Sequence, residues 1–242
     1  MYGWRARLGI LVPSGIVATE PDCMTLCPEG VSCHFHRIAF SGGDTGKECV
    51  ENLGKVGKSV AEATKMICDA RPSVVALSGT GVSFVGGFGY DQIIIQSIKD
   101  ASGGLPATTT SSSVIDALRV LDVHKISIAM PYPEEVSRIA GKFVEDSGIQ
   151  VLDMKWLGLS RFNIAQVSEE TLYRMAKEVD RPESEAIFIS CTNLHTLGII
   201  ESLENDLGKP VVTSNQALMW NMLRLAKIKD QFDGFGRIFS QY

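Results

Sequence analysis

The residues in this 242-residue chain best suited to chemistry sit in two stretches that read as copies of each other. The first is Val74-Val75-Ala76-Leu77-Ser78-Gly79-Thr80-Gly81 and the second is Ala186-Ile187-Phe188-Ile189-Ser190-Cys191-Thr192-Asn193. Each is an apolar run of buried-strand character, then Ser, one differing position, then Thr. The differing position is Gly79 in one copy and Cys191 in the other. If the copies face each other across a cleft, the site has one thiol where a symmetric site would have two. One thiol can serve as a proton donor or acceptor on one face of a carbon. A two-base reaction needs an acid and a base on opposite faces.

The strand ends suggest the ligand. In parallel sheets, ligands bind outside the carboxyl ends of the strands. Pro13 and Ser14, Gly79-Thr80-Gly81, Pro131-Tyr132 and Cys191-Thr192-Asn193 all lie at such ends. Two of these turns read as opening toward helix N-termini, whose free N–H groups favour an anion. The expected ligand is a small carboxylate held by backbone N–H groups and the hydroxyls of Thr80 and Tyr132. Pro13, Ser14, Gly79, Gly81, Thr192 and Asn193 form the rest of the binding surface. A helix end would also lower the pKa of Cys191 by stabilising its thiolate.

Other reactive residues give weaker patterns. Cys23 and Cys27 form C-x3-C, with His34 and His36 soon after. This is a loop followed by an alternating strand, and zinc usually takes four convergent ligands. Together with Cys33, Cys49 and Cys68, these cysteines read as reduced thiols, some buried as small apolar residues. His195, four residues past Cys191, reads as the start of a helix and a candidate to tune the thiol. No metal site is expected among these residues.

The elements that must position these residues alternate. Strands are expected at Arg7–Val12, Cys33–Phe40, Val74–Leu77, Leu105–Thr108, Lys125–Ala129, Gln150–Trp156, Ala186–Ser190 and Val211–Thr213. Helical patterns cover Thr45–Ala70, Tyr90–Ala101, Ser111–Leu121, Glu134–Ser147, Ser168–Val179, His195–Leu207 and Ser214–Leu225. Strands alternating with crossover helices imply parallel sheets with helices on both faces. The repeat extends beyond one motif: Gly9-Ile10-Leu11-Val12-Pro13 matches Ser127-Ile128-Ala129-Met130-Pro131, and Gly104–Thr109 matches Gly208–Thr213. Both halves run strand-Pro, strand-Ser-x-Thr, strand-Thr-helix. The fold class is therefore α/β, with two homologous halves, each a parallel sheet flanked by helices. The expected division puts residues 1–110 plus 214–242 in the first domain and 111–213 in the second.

Composition agrees with a globular protein. Apolar residues are 45% and charged residues 21% of the chain, and the net charge of −5 leaves no basic footprint for nucleic acid or an anionic membrane. No apolar run has the length of a membrane span, and Met1–Arg5 leads into a strand, so the expected compartment is the cytoplasm. Composition leaves a homo-oligomer open.

With its landmarks in order, the chain resembles the aspartate/glutamate racemase superfamily, and most of all its arylmalonate decarboxylase and maleate cis-trans isomerase branch. The resemblance runs from Leu8 nearly to the end. It includes Gly9–Pro13, Ser78–Phe84, Gly104–Thr109, Ser190-Cys191, Gly208–Ser214 and Gly236-Arg237-Ile238-Phe239. It implies two pseudo-symmetric Rossmann-like α/β domains with the active site in the cleft between them. Superfamily racemases and isomerases use a cysteine from each half, whereas this chain keeps Cys191 and has Gly79 at the other place. Maleate isomerases carry an asparagine after the Val-Pro-Ser turn; here Gly15 follows Ser14.

The single-cysteine pattern resembles arylmalonate decarboxylase. The resemblance implies loss of CO2 from a disubstituted malonate and an enediolate held in a dioxyanion hole by Thr80 and Tyr132. Backbone N–H groups near Gly81, Cys191 and Thr192 complete the hole, and Cys191 is the proton donor. Three departures follow. Gly81 replaces a hydroxyl-bearing residue. Thr192 and Asn193 replace glycine after the cysteine and make the site more polar. The CO2 pocket expected from the loop Ile16–Cys27 and the region around Trp156–Leu159 mixes Ile16, Val17, Met24, Leu26, Trp156 and Leu157 with Thr19, Glu20 and Asp22. The Ser-Cys-Thr-Asn-Leu turn and Gly86–Asp91 also resemble ectoine-utilisation proteins of the same superfamily. The leading expectation is a cofactor-independent decarboxylase of small 2-substituted malonate-type acids. The alternatives are a racemase or cis-trans isomerase, and a non-catalytic carboxylate-binding relative.

Overall fold

A computed structural model describes residues 2–40, 48, 50, 51, 53, 55, 56 and 59–242. The chain runs β1 (Ala6–Pro13), α1 (Thr19–Thr25), β2 (Val31–Ile38), α2 (Val60–Ile67), β3 (Val74–Leu77), α3 (Thr80–Phe84), α4 (Tyr90–Ser102), β4 (Ala107–Thr109), α5 (Thr110–Val120). It continues β5 (Lys125–Met130), α6 (Glu134–Asp146), β6 (Gln150–Trp156), α7 (Arg161–Ile164), α8 (Glu169–Val179), β7 (Ala186–Ile189), α9 (Ile200–Leu207), β8 (Val211–Thr213), α10 (Ser214–Leu225) and α11 (Arg237–Gln241). Part of the helix expected over Thr45–Ala70, and Cys49, lie outside the described residues. The described part includes α2 and a 3-10 turn, Cys68–Ala70.

There are two four-stranded parallel sheets, ordered β2-β1-β3-β4 and β6-β5-β7-β8. Identical orders make the halves pseudo-symmetric, as the repeated landmarks predict. The central strands β1, β3, β5 and β7 are almost wholly buried because both faces are covered, which is why they read as unbroken apolar runs rather than alternating ones. The flanking helices bury one stripe each. In α6 that stripe is Val136, Ala140, Phe143 and Val144; in α8 it is Leu172, Met175, Ala176 and Val179. Burying a large apolar side chain of this kind contributes about 1.5–3 kcal/mol.

The exception is α10, buried along nearly its whole length. It follows β8 of the second sheet yet packs against β3 and β4 of the first, and against α1 and α5. Its start is fixed by the Gln216 side chain, whose Oε1 reaches back to accept the Thr213 N–H at 2.9 Å. This crossing brings Ser214 and Asn215 up beneath the ends of β3 and β7.

Four short helices are absent from the periodicity: α1, α3, α7 and α11. Segments of four to seven residues carry less than two full turns of a 3.6-residue pattern. One of them matters for the site, since α1 occupies Thr19–Thr25, inside the segment expected to be the Ile16–Cys27 loop.

Candidate active site

Register defines the pseudo-equivalences. Leu11 pairs with Leu77 and Leu77 with Thr109 in the first sheet; Ala129 pairs with Ile189 and Ile189 with Thr213 in the second. Counting onward, Gly79 matches Cys191, Thr80 matches Thr192, and Thr110 matches Ser214. The hydrogen bonds repeat accordingly. The Gly79 N–H donates to Thr110 Oγ1 at 3.1 Å, and the Cys191 N–H donates to Ser214 Oγ at 2.9 Å.

The two positions share an unusual backbone. Gly79 has φ +119° and Cys191 has φ +141°. Glycine adopts this region freely, but a residue with a Cβ is strained there by about 1–3 kcal/mol. The fold therefore supplies a place for glycine twice, and one of the two holds a cysteine under strain.

A cavity of about 70 Å³ lies over these turns, lined on one side by Pro13, Gly79, Thr80 and Gly81 and on the other by Tyr132, Cys191, Thr192 and Asn193. The structure thus brings together every expected site residue except Ser14. Ser14 is exposed, and its hydroxyl accepts the Phe40 N–H at 3.0 Å, so it anchors the chain after β2 instead of meeting a ligand. The rest of the lining is largely apolar, with Ile16, Phe40, Leu53, Val82, Val136, Leu159 and Ile164, and Arg161 is its one charged residue among those described. Ile16 and Leu159 belong to the segments expected to form the CO2 pocket. Val17 and Met24 are instead exposed, because α1 turns that segment away from the cavity.

Tyr132 is buried, with its hydroxyl 3.2 Å from Ser190 Oγ and within hydrogen-bonding reach of Thr80 and Cys191. Burial, and then the nearby Cys191 charge, push its pKa well above the usual tyrosine range. It is therefore a hydroxyl donor at all ordinary pH values. Thr80 Oγ1 donates to Ser214 Oγ at 2.8 Å, so Ser214 ties the two halves together beneath the site. The N–H groups of Gly81 and Thr192 have no acceptor among the described residues.

The thiol behaves opposite to the sequence-based expectation. No helix begins at Cys191; a turn follows it, then a 3-10 segment at Leu197–Ile199, and α9 starts only at Ile200. Burial pushes the thiol up to about 11, opposed by the Asn193 N–H donated to Sγ at 3.3 Å and by the Tyr132 hydroxyl. Desolvation outweighs two hydrogen bonds, and Cys191 rests as a neutral thiol. His195 precedes the helix rather than starting it, is exposed, and acts electrostatically on Asp22 instead of on the thiol.

The support beneath the turn comes from residues that the sequence motifs do not mark as supports. Asn215 donates to the Thr192 carbonyl at 3.1 Å and to Asp22 Oδ2 at 2.7 Å, while Thr19 donates to the Thr192 carbonyl at 3.2 Å and meets Ser78 Oγ at 2.8 Å. The one sequence signal for Ser214 is the hydroxyl-rich step after the fourth strand of each half, Thr109-Thr110 in one and Thr213-Ser214 in the other.

Asp22 is only 6% exposed. Burial pushes its carboxyl up to about 6, against the Asn215 hydrogen bond and the His195 charge. The folded state thus holds this proton more tightly than the unfolded chain, where the group ionises near 3.8. The resulting advantage to folding is full below that value and is lost as pH rises through 6, a swing of about 3 kcal/mol at most. Asp22→Asn keeps an acceptor for Asn215. It is expected to stabilise the protein by about 1–3 kcal/mol at pH 8 and to flatten stability between pH 4 and 6, read from denaturant unfolding at each pH.

The family model described as arylmalonate decarboxylase matches residues 8–239. The chain belongs to the arylmalonate decarboxylase family. Within the wider set of relatives, arylmalonate decarboxylase of Bordetella bronchiseptica is 30% identical over 97% of this chain and 96% of that one. Maleate isomerase of Nocardia farcinica is 24% identical, covering 97% and 96%. Among solved structures, a double mutant of arylmalonate decarboxylase in the liganded form superposes with a TM-score of 0.84 at 27% identity, covering 98% of this chain and all of that one. The maleate isomerase Iso of Pseudomonas putida S16 gives a TM-score of 0.91 at 21% identity, covering 98% of each chain.

As a member of the arylmalonate decarboxylase family, the chain is an enzyme of the decarboxylase or isomerase type. Among the described residues, no group of three or more His, Cys, Asp or Glu is arranged to hold a metal ion, and no helix is long and apolar enough to cross a membrane.

Proposed function

We propose that this protein is a cofactor-independent decarboxylase of small 2-substituted malonate-type acids, with Cys191 as the proton donor. The observation that carries the reading is a single, protonated thiol opposite a glycine. One carboxylate of the substrate is held by the hydroxyls of Thr80 and Tyr132 and by the N–H groups of Gly81 and Thr192. The other lies against the apolar wall of Ile16, Leu53 and Val82, where water is scarce.

The bond to that second carboxylate breaks and CO2 leaves. Its electron pair passes to the α-carbon and spreads into the held carboxylate as an enediolate. Electrostatic stabilisation of that developing charge supplies most of the rate enhancement expected in such a step. Cys191 Sγ–H then delivers its proton to one face of the carbon. The Asn193 N–H and Tyr132 hydroxyl hold the resulting thiolate until solvent reprotonates it. A thiol whose pKa is about 11 is well supplied with protons for this role. It is poorly suited to nucleophilic addition, since only about one molecule in ten thousand is thiolate at pH 7.

The test is CO2 release from a panel of 2-substituted malonates, in buffer with chelator, by wild type and Cys191→Ser. Release that depends on Cys191 and resists chelation supports the reading; no release from any member overturns it.

The second reading is a maleate isomerase-like cis-trans isomerase, favoured by the closer superposition on the Pseudomonas putida enzyme. A cysteine-to-serine mutant of the Nocardia farcinica isomerase holds a covalently bound succinylcysteine intermediate, which requires a nucleophilic thiolate. Conversion of maleate to fumarate, followed by proton NMR, would support this alternative.

Gly79→Cys connects the readings. A second thiol facing Cys191 is expected to confer exchange of the α-hydrogen of 2-substituted propionates, detected as deuterium uptake, with none expected in the wild type. A Cβ at Gly79 would sit 3.2 Å from Val82 and 3.3 Å from Pro13. With the positive φ, this predicts a stability loss of about 1–3 kcal/mol.

A further inference from the structure

Outside the cavity, one cluster of nucleophilic side chains is not used by the proposed reaction. Cys27 follows α1, and Cys33 lies on the edge strand β2. The Cys33 thiol is shared between Cys27 Sγ at 3.9 Å and the Cys23 carbonyl at 3.7 Å. Both residues are partly exposed, whereas Cys23 is wholly buried.

We infer that Cys27 and Cys33 form a thiol pair that closes to a disulfide on meeting a small disulfide such as oxidised glutathione. The geometry supports closure. A disulfide needs its sulfurs about 2.05 Å apart, so the pair must approach by roughly 2 Å. The residues are on a loop and an edge strand, which side-chain rotation and small shifts can accommodate without breaking a central ladder.

The order of attack also follows from position. Cys33 donates its hydrogen toward Cys27, which lowers the pKa of Cys27, while that same hydrogen bond and burial raise the pKa of Cys33. Cys27 is therefore the attacking thiolate. It attacks one sulfur of glutathione disulfide, breaking that S–S bond and releasing one glutathione thiolate. Cys33 then loses its proton and attacks Cys27 Sγ, expelling the second glutathione thiolate, which takes up the proton. The protein loses two hydrogens and the oxidant is reduced to two glutathiones. Cys23, at zero exposure, and Cys191, held neutral in the cavity, stay reduced.

The experiment exposes the full-length protein to oxidised glutathione, quenches with acid and an alkylating agent, and maps peptides by mass spectrometry. The segment between Arg7 and Arg37 carries Cys23, Cys27 and Cys33 and nothing else that oxidises as a pair. In wild type this peptide is expected to lose two hydrogens, and cleavage after Glu29 is expected to leave its two fragments joined. In Cys33→Ser, ring closure is lost and Cys27 retains one glutathione. In Cys27→Ser, both products fall at least about tenfold, because the attacking thiolate is gone. Circular dichroism of each variant confirms that it is folded. A wild-type peptide that stays fully reduced, or a ring that persists in Cys33→Ser through Cys23 and Cys27, would overturn the inference.

Discussion

Replacing Cys191 with glycine is expected to abolish turnover while leaving the protein more stable than Cys191→Ala. The two effects come from different properties of one residue. The thiol is the proton donor of the proposed reaction, and loss of a positioned general acid typically costs about 10²–10⁴ in kcat. The backbone at φ +141° is strained for any residue with a Cβ, so alanine keeps the strain and glycine releases it. Glycine is ordinarily less stable than alanine at a structured position by roughly 0.5–1 kcal/mol. Here the order reverses, with glycine ahead by about 1–3 kcal/mol. Denaturant unfolding of the two variants gives the sign directly, and an alanine variant as stable as the glycine variant would refute the strain argument. The same burial that keeps Cys191 neutral slows its chemistry. Alkylation of the wild type by iodoacetamide should be slow at pH 7 and climb about tenfold per pH unit toward 11.

Tyr132→Phe removes one donor from the proposed hole with little change of shape. It is expected to lower kcat about 10²–10³-fold with a much smaller effect on KM, because the charge it stabilises develops only in the transition state. The ring keeps its edge-to-face packing on Phe84, with centroids 6.0 Å apart. The lost partner of Ser190 costs about 1 kcal/mol of stability. Thr80→Val tests the hydroxyl beside it, and the double variant should lose less than the product of the single effects, since both donors serve one oxyanion. A Tyr132→Phe enzyme with unchanged kcat would remove Tyr132 from the hole.

Which residues meet is legible in the local pattern. Apolar runs ending in Pro, Ser-x-Thr and Thr recur in the same order in both halves, and in parallel sheets such ends lie at one edge. That logic places Thr80, Tyr132, Cys191, Gly79, Gly81, Thr192, Asn193 and Pro13 around one cavity, and the structure agrees. It also places Ser14 there, and the structure instead turns Ser14 to the Phe40 amide, since strand-end position does not specify side-chain direction.

The state of the thiol is not legible in that way. The local pattern after Cys191 suits a helix start, but the turn there is closed by Ser214 and Asn215 from a helix more than twenty residues further on, and by Thr19 from α1. Those contacts depend on the two sheets packing together. They bury Cys191 enough for desolvation to override its hydrogen bonds, and they hold it in a backbone conformation suited to glycine. Local sequence encodes strands and turns through periodicity and turn chemistry. Burial, and with it the protonation state that chooses between acid and nucleophile, is a property of the assembled halves.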